Sequence, residues 1–304
     1  MDTKIEFITI VGCANAGKSS LLNALVGEKI AMVSNKPQTT RTRITGLVTE
    51  AETQYVFMDT PGVHKAKNKL GEHMNKVVKE SATDVDLILM VADVNKRVTD
   101  IDKDIINSFR KKDNVVLVLN KIDLVKDKEN VAVKIAEFSS RYDFKAIIPI
   151  SVIEDDGIDI VWEEIKKYVV YGPHYFSDDS LTDQPERVLA GEIIREKILN
   201  LMHDEIPHGI AVTVEQMSER VNKNGEDILD ISAVIFCERD SHKGMVIGKG
   251  GAMLKQIGKY AREDLESFFE IKVNLQCWVK VKEDWRNKEG LIRNFGLSNN
   301  STNM

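Results

Sequence analysis

A short loop near the N-terminus combines glycines, a lysine and a serine at the spacing that phosphate binding requires. Residues 12–19 read GCANAGKS and fit the pattern G-x-x-x-x-G-K-[ST], after a β-rich run and before a segment with helical spacing. The glycines let successive backbone N–H groups point at phosphate oxygens, and the helix N-terminus adds its positive dipole end. The predicted nucleotide contacts in this loop are Gly12, Asn15, Ala16, Gly17, Lys18, Ser19 and Ser20.

Three side chains of this loop carry further expectations. We expect Lys18 to place its charge on the β- and γ-phosphates, and the Ser19 hydroxyl to ligate Mg²⁺. Cys13 leaves two interpretations open. It is either a neutral small residue or a thiol that the helix N-terminus makes prone to oxidation by lowering its pKa.

A second motif, DTPG at residues 59–62, follows another strand-like run. A carboxylate at the end of that strand, Asp59, can hold Mg²⁺ through water, and the Gly62 amide can sense a γ-phosphate. The tetrapeptide alone would be an ordinary turn. Together with the phosphate loop it predicts a nucleotide-dependent switch.

A third motif, NKID at residues 120–123, selects the base. The Asp123 carboxylate can accept from both N1–H and N2–H₂ of guanine, whereas adenine has no such pair and would leave the acceptor unmatched. Asn120 is expected to tie this loop to the phosphate loop, and the Lys121 stem to cover one face of the base. The backbone amides of Ser151 and Val152, after the last strand, are predicted to donate to guanine O6.

The elements around these motifs alternate in the first half of the chain. Apolar strand-like runs separated by amphipathic helices predict a mostly parallel sheet with helices on both faces, the α/β fold of a P-loop domain. The runs lie at 5–11, 46–59 (two runs), 87–93, 115–120 and 147–151.

A segment without periodicity separates the two halves. Residues 171–188 contain two prolines, a glycine and an acidic cluster, a composition typical of a linker. The second half then reads as a helix, two strands, a glycine loop, a long helix and a strand. We predict a first domain over 1–172, a linker over 173–187, a second domain over 188–297 and a disordered tail over 298–304.

Composition limits the class of protein. A chain of 304 residues, 42% hydrophobic and 30% charged, has enough apolar material for two cores and is not a disordered protein. The longest apolar run, 87–92, is too short to span a membrane, and acidic residues interrupt the N-terminal stretch where a signal peptide would be apolar. Three scattered cysteines predict neither a disulfide framework nor a zinc site, so we expect a reducing cytosol.

Several stretches beyond these motifs resemble the bacterial Era family, over about residues 4–297. They are QTTRTR at 38–43, PHYF at 173–176, LTDQPER at 181–187, EIIREK at 192–197 and WVKVK at 278–282. The resemblance implies a GTPase domain followed by an α+β KH domain of type II. It also implies binding of 16S rRNA near its 3′ end, a role in 30S subunit maturation, and a monomer in the cytoplasm that associates peripherally with the inner face of the membrane.

The glycine loop of the second half is where a KH domain would clamp about four nucleotides of single-stranded backbone. Residues 248–251 read GKGG, and six lysines or arginines lie between 239 and 262 against one acid, Asp240. A helical wheel separates a basic stripe from the apolar face of the following helix, although solvated surface charge remains an alternative. The predicted RNA contacts are Gly248, Lys249, Gly250, Gly251, Lys255, Lys259 and Arg262. Trp162, Trp278 and Trp285 are predicted to be packing residues rather than stacking platforms.

The chemistry of hydrolysis is expected to be slow. Ras-like GTPases place a water-orienting glutamine after the switch motif, but Val63 stands there. The resemblance implies that Thr40 ligates Mg²⁺ with Ser19 and Asp59, and that Asn15 helps to hold a K⁺ ion. The expected catalytic residues are Lys18, Thr40 and Asn15, acting by positioning and charge neutralisation. The alternative is that Asn15 only stabilises the conformation of the loop.

Two other functions stay open on the sequence alone. One is an RNA chaperone or assembly checkpoint in which GTP hydrolysis is only a timer, so that added RNA would leave turnover unchanged. Another is an ATP-using P-loop protein, which Asp123 disfavours. A GTPase of tRNA modification would need a different partner domain.

Overall fold

The computed structural model describes residues 3–34, 36, 38–109, 112–202 and 207–297, with only the backbone of Pro207. These residues form two compact units that divide between Asp183 and Gln184, and the described residues of 32–39, together with 68–70, group with the second unit. The tail predicted over 298–304 lies outside the described residues. In the described part of the chain no helix is long and apolar enough to cross a membrane.

The first unit is built on one sheet with the strand order β2-β3-β1-β4-β5-β6. Neighbouring strands are parallel except for β2 against β3, and β7 pairs antiparallel with the start of β1. The strands are β1 Lys4–Val11, β2 Ile44–Glu50, β3 Thr53–Asp59, β4 Leu87–Asp93, β5 Val115–Asn120, β6 Ala146–Pro149 and β7 Val170–Tyr171. The helices are α1 Lys18–Val26, α2 Lys69–Ser81, α3 Asp100–Ser108, α4 Glu129–Ser139 and α5 Ile158–Ile165.

Helices cover both faces of this sheet, as the sequence predicted. Every residue of β5 is buried, which explains its unbroken apolar run, because a central strand needs apolar side chains on both faces. Leu22 of α1 and Val161 of α5 pack into the core on one face. Ile106 of α3 and Phe138 of α4 pack into the core on the other.

This topology brings the three nucleotide motifs to one edge. The phosphate loop follows β1, the DTPG segment begins at the end of β3, and the NKID segment begins at the end of β5. In a parallel sheet the carboxyl ends of the strands meet at the same edge, where α/β proteins bind ligands.

The second unit has a three-stranded sheet with the order β10-β9-β8, in which β9 and β10 are parallel and β8 is antiparallel to β9. Its core lies between one face of this sheet and helices α6, α7 and α8. The elements are α6 Glu186–Leu201, β8 Ala211–Val221, β9 Asp227–Cys237, α7 Asp240–Ile247, α8 Ala252–Phe269, β10 Lys272–Val281 and α9 Glu289–Asn294. The α+β prediction is confirmed, but α7 was missed because DSHKGMVI has little apolar periodicity.

The predicted linker, residues 173–187, is divided between the two units. Gln54 is buried, and its Oε1 accepts the backbone N–H groups of Tyr175 and Phe176 at 3.0 and 3.1 Å. Leu47 of β2 donates its N–H to the Leu181 carbonyl at 2.9 Å. The first part of this segment is therefore packed against β2 and β3, and its last residues begin α6.

Candidate nucleotide site and nucleic-acid cleft

The phosphate loop requires glycine at the two positions that frame it. At Gly17, where φ is 103°, an added Cβ would lie 2.1 Å from Asn120 Nδ2. At Gly12, where φ is 151°, an added Cβ would lie 2.2 Å from the Val91 carbonyl oxygen. A side chain at Gly12 would therefore collide with the backbone of β4, and one at Gly17 would collide with the Asn120 amide. Helix α1 begins directly after Gly17, so its unpaired N–H groups face this loop.

Lys18 lies at the base of the loop with 6% of its surface exposed. Its Nζ donates to the Cys13 carbonyl oxygen at 3.1 Å. Burial lowers the pKa of Lys18, while the nearby Asp59 carboxylate opposes that shift. A buried cation within the curl of a phosphate loop suits an anionic ligand.

Three oxygen-bearing side chains from separate segments meet beside Lys18. Ser19 Oγ donates to Asp59 Oδ2 at 2.6 Å, and Thr40 Oγ1 lies 2.8 Å from Ser19 Oγ and 3.4 Å from Asp59 Oδ2. Asp59 is fully buried, and its Oδ1 has no hydrogen-bond partner within the described structure. Two hydroxyls beside an unpartnered buried carboxylate oxygen form the hard donor set that Mg²⁺ prefers, so these residues fit the ion.

The electrostatics of this cluster are set mainly by burial. Removal from water raises the pKa of Asp59 to about 6, against the opposing effects of Lys18 and of hydrogen bonds from Ser19 and Thr40. A cation bound at Asp59 would offset the cost of keeping this carboxylate ionised.

The DTPG segment lies directly against the phosphate loop. The Val63 N–H donates to the Gly12 carbonyl at 3.2 Å. An added Cβ at Gly62 would lie 2.6 Å from Ala14 Cα, so Gly62 is required by close approach. The residue after the motif, Val63, offers no side-chain hydrogen bond.

Asn120 connects the base end to the phosphate loop. Its Nδ2 donates to the Ala16 carbonyl at 3.0 Å. Its Oδ1 accepts the N–H groups of Lys121 and Val152 at 2.8 and 3.3 Å. One buried amide therefore joins the ends of β1, β5 and β6.

Lys121 is held by a partner that the sequence did not reveal. Its Nζ donates to the Asn15 carbonyl at 2.8 Å and to Asp93 Oδ2 at 3.0 Å. Asp93 ends β4, and the signal that could have identified it is an acid at the carboxyl end of a buried parallel strand. The pair fixes the Lys121 stem beside the exposed Asp123.

Ser151 contributes its side chain as well as its backbone. Its Oγ donates to Asp123 Oδ1 at 2.7 Å, which orients the predicted guanine acceptor. Its N–H donates to the Asp156 carbonyl at 3.0 Å, and the Val152 N–H donates to Asn120 Oδ1 at 3.3 Å. A guanine O6 would have to compete with these acceptors, so its contact with the two amides stays a prediction.

The Cys13 thiol is protonated in this setting. Its Sγ lies 3.1 Å from Asp102 Oδ1. Burial first, and then the hydrogen bond to Asp102, raise the pKa of Cys13 to about 12. This favours the neutral interpretation of Cys13, because oxidation requires the thiolate.

The glycine loop of the second unit connects α7 to α8. Gly248, Gly250 and Gly251 all have positive φ, at 73°, 60° and 83°. Cβ atoms added at Gly250 and Gly251 would meet nothing within 4 Å, so their backbone is open to a ligand. Lys249, between Gly248 and Gly250, is exposed.

A cleft of about 910 Å³ follows this loop, between α8 and β10. Four predicted RNA residues line it: Gly251, Lys255, Lys259 and Arg262. Gly248, Lys249 and Gly250 precede it in the loop. The strand wall, which includes Asn274, Leu275 and Cys277, was not predicted, because the periodicity of a helix does not show which strand lies beside it.

Two family models match this chain. Residues 7–121 match the family described as 50S ribosome-binding GTPase, and residues 205–286 match the KH domain. GTPase Era of Clostridioides difficile strain 630 is 50% identical over 97% of this chain and 99% of its own length. GTPase Era of Ruminiclostridium cellulolyticum is 46% identical over 99% of each chain.

Two solved structures are similar over nearly the whole chain. One is Era in complex with MgGDPNP and nucleotides 1506–1542 of 16S ribosomal RNA, at 36% identity, a TM-score of 0.92, and coverage of 97% of this chain and 99% of that one. Another is an Aquifex aeolicus Era variant bound to GDP.AlF4⁻, with the same identity and TM-score and coverage of 97% and 100%. Motifs, fold and full-length similarity agree, and the chain belongs to the Era family of GTPases.

Proposed function

We propose that this GTPase is a switch whose KH domain binds 16S rRNA near its 3′ end and which assists maturation of the 30S subunit. In this proposal residues 1–172 hold the nucleotide, residues 188–297 hold the RNA, and 173–187 join them. One observation supports this proposal most strongly. The same chain contains the cluster of Ser19, Thr40 and Asp59 and a basic cleft next to a GKGG loop. The relative solved with both MgGDPNP and 16S rRNA supports the pairing.

The nucleotide is held by residues already in contact with one another. Ser19, Thr40 and Asp59 hold Mg²⁺, which offsets charge on the β- and γ-phosphates. Lys18 contacts the same phosphates, and Gly12, Ala16, Gly17 and Ser20 frame them with backbone. Asp123 reads the guanine edge, with Lys121 beside the ring. Hydrolysis is slow because Val63 cannot orient water.

K⁺ is proposed to assist hydrolysis at Asn15. This residue has φ of 63°, and its carbonyl oxygen accepts a hydrogen bond from Lys121 Nζ at 2.8 Å. Turnover is expected to be faster in KCl than in NaCl, and Asn15→Ala should abolish that difference. Equal turnover in the two salts would leave Asn15 as a brace of the loop.

We propose that the protein acts in the cytoplasm as a monomer, in keeping with its proposed ribosomal partner. Peripheral contact with the cytoplasmic face of the membrane is part of the proposal, and its support is the family resemblance alone.

Binding measurements separate the two halves of the proposal. A fluorescent GDP analogue should be displaced by GTP and not by ATP, and a labelled RNA matching the 3′ end of 16S rRNA should bind with a salt-dependent affinity. Gly250→Asp, which places a carboxylate in the open loop, should abolish RNA binding and leave nucleotide binding unchanged. Displacement by ATP would overturn the base assignment, and RNA binding that survives Gly250→Asp would overturn the cleft.

A further inference from the structure

The sheet of the second unit has an open face. Helices α6, α7 and α8 pack on one face, and alternate residues of β10 point to the other, because side chains alternate along a strand. The outward residues of β10 are Lys272, Asn274, Gln276, Trp278 and Lys280, all exposed. This row differs from the inward row, in which Val273 is buried.

Trp278 is 59% exposed, contrary to the prediction that it packs. Trp285 is fully buried, and Trp162 packs edge-on against Tyr55 and Phe57 at 5.1 and 5.5 Å between ring centroids. Among the described residues, no aromatic ring or cation lies against the Trp278 indole. A large flat ring left open to solvent is a stacking surface for another planar group.

The charge of this face is complementary to a phosphodiester backbone. Its two carboxylates are paired within the face, Asp230 with Arg220 at 2.5 Å and Glu215 with Lys280 at 3.9 Å. Lys272, at the start of β10, and Lys282, just after its end, have no carboxylate partner in the described structure. The face therefore carries an excess of cations on either side of Trp278, which suits a phosphate-bearing strand.

The open face is continuous with the cleft. Strand β10 is an edge strand, and its residues Asn274, Leu275 and Cys277 form the strand wall of the cleft. Asn274 belongs both to that wall and to the outward row, so the two surfaces meet at the edge of β10. A KH cleft clamps about four nucleotides, and a longer strand must leave it.

We propose that the open face of the sheet is a second RNA contact. An unpaired base outside the cleft stacks on the Trp278 indole, and Lys272 and Lys282 contact phosphates further along the same RNA strand, on either side of that base. The inference rests on the proposed RNA-binding function of the cleft.

The test compares two labelled single strands from the 3′ end of 16S rRNA, of about 4 and about 12 nucleotides, so that the shorter one fills the cleft alone. Binding is measured by fluorescence anisotropy with the full chain. Trp278→Ala should weaken binding of the longer strand by about 5- to 100-fold and leave the shorter one within about twofold. Trp278→Phe, which keeps a ring, should recover most of the loss. Val221→Ala, an apolar truncation at an exposed site of the same sheet, should change neither.

Each contrary result has one meaning. If Trp278→Ala bound the longer strand as tightly as the unmodified chain does, the inference would be wrong, and a protein partner would be the alternative ligand of the open face. Equal losses for both strands would also overturn it, because the effect would then lie in the cleft or the fold. If the unmodified chain bound neither strand, the inference would fall with the proposed function.

Discussion

Ser19 and Asp59 lie forty residues apart in the chain and are joined by a hydrogen bond of 2.6 Å. The parallel register of β1 and β3 produces this contact, because it pairs Ile10 with Asp59 at the point where the phosphate loop begins. Thr40, from a third segment, completes the cluster. The fold thus assembles the proposed Mg²⁺ ligands before any ligand is considered.

Removal of the Ser19 hydroxyl should damage catalysis without unfolding the protein. Ser19→Ala removes one of the three clustered oxygens and is expected to lower kcat for GTP by about 100-fold or more, in line with the loss of one electrostatic contact to the transferring group. The melting temperature should stay close to that of the unmodified chain. Ser177→Ala, at an exposed serine, is the control. Full activity in Ser19→Ala would show that this hydroxyl holds no metal.

The base specificity should follow the side chain at position 123. Asp123→Asn replaces an acceptor with a group that also donates, so the affinity for GTP should fall by about 10-fold or more and that for xanthosine triphosphate should rise. Ser151 Oγ can still donate to the new amide oxygen, so the loop should keep its shape. Competition binding with both nucleotides measures this change in base preference, and Asp104→Asn is a surface control. A variant that still preferred GTP would contradict the assignment.

Glu6 should make the protein less stable as pH rises. Its side chain is fully buried, neither carboxyl oxygen has a hydrogen-bond partner in the described structure, and burial, with Asp86 nearby, raises the pKa of Glu6 from 4.5 to about 9. The folded state therefore keeps a proton that the unfolded state loses, and the free energy of unfolding falls as pH rises from 4.5 towards 9.

Glu6→Gln removes this dependence, so the variant should be more stable than the unmodified chain at pH ~8, by about 1–3 kcal/mol, and the gap should narrow at pH ~5. Urea unfolding at the two pH values measures it. Glu52→Gln, at an exposed glutamate, should give no such gap. A gap that is the same at both pH values would mean that Glu6 does not titrate in this range.

The sequence predicts what is local and misses what the fold assembles. The phosphate loop, Asp59 and Asp123 are recognisable because each motif is contiguous and follows an apolar strand. The ion pair between Asp93 and Lys121 could not be predicted from the sequence, because it depends on β4 lying beside β5. The hydroxyl role of Ser151 likewise depends on the loop geometry at the end of β6.

Trp278 is a case in which the pattern held an unused signal. In WVKVK the tryptophan shares its alternation with Lys280 and Lys282, while Val279 and Val281 form the other row. A period of two therefore assigns the indole to the polar face of the strand. The hydrophobicity of tryptophan alone suggested that Trp278 is buried, but its position on the outward face of β10 exposes it.

Coupling between the nucleotide site and the KH domain is measured by GTP turnover in KCl with and without RNA matching the 3′ end of 16S rRNA. RNA should stimulate turnover in the unmodified chain, and Gly250→Asp should abolish the stimulation while keeping basal turnover. Unchanged turnover with RNA fully bound would contradict this coupling, because the KH domain would then be a tether and the GTPase a separate timer.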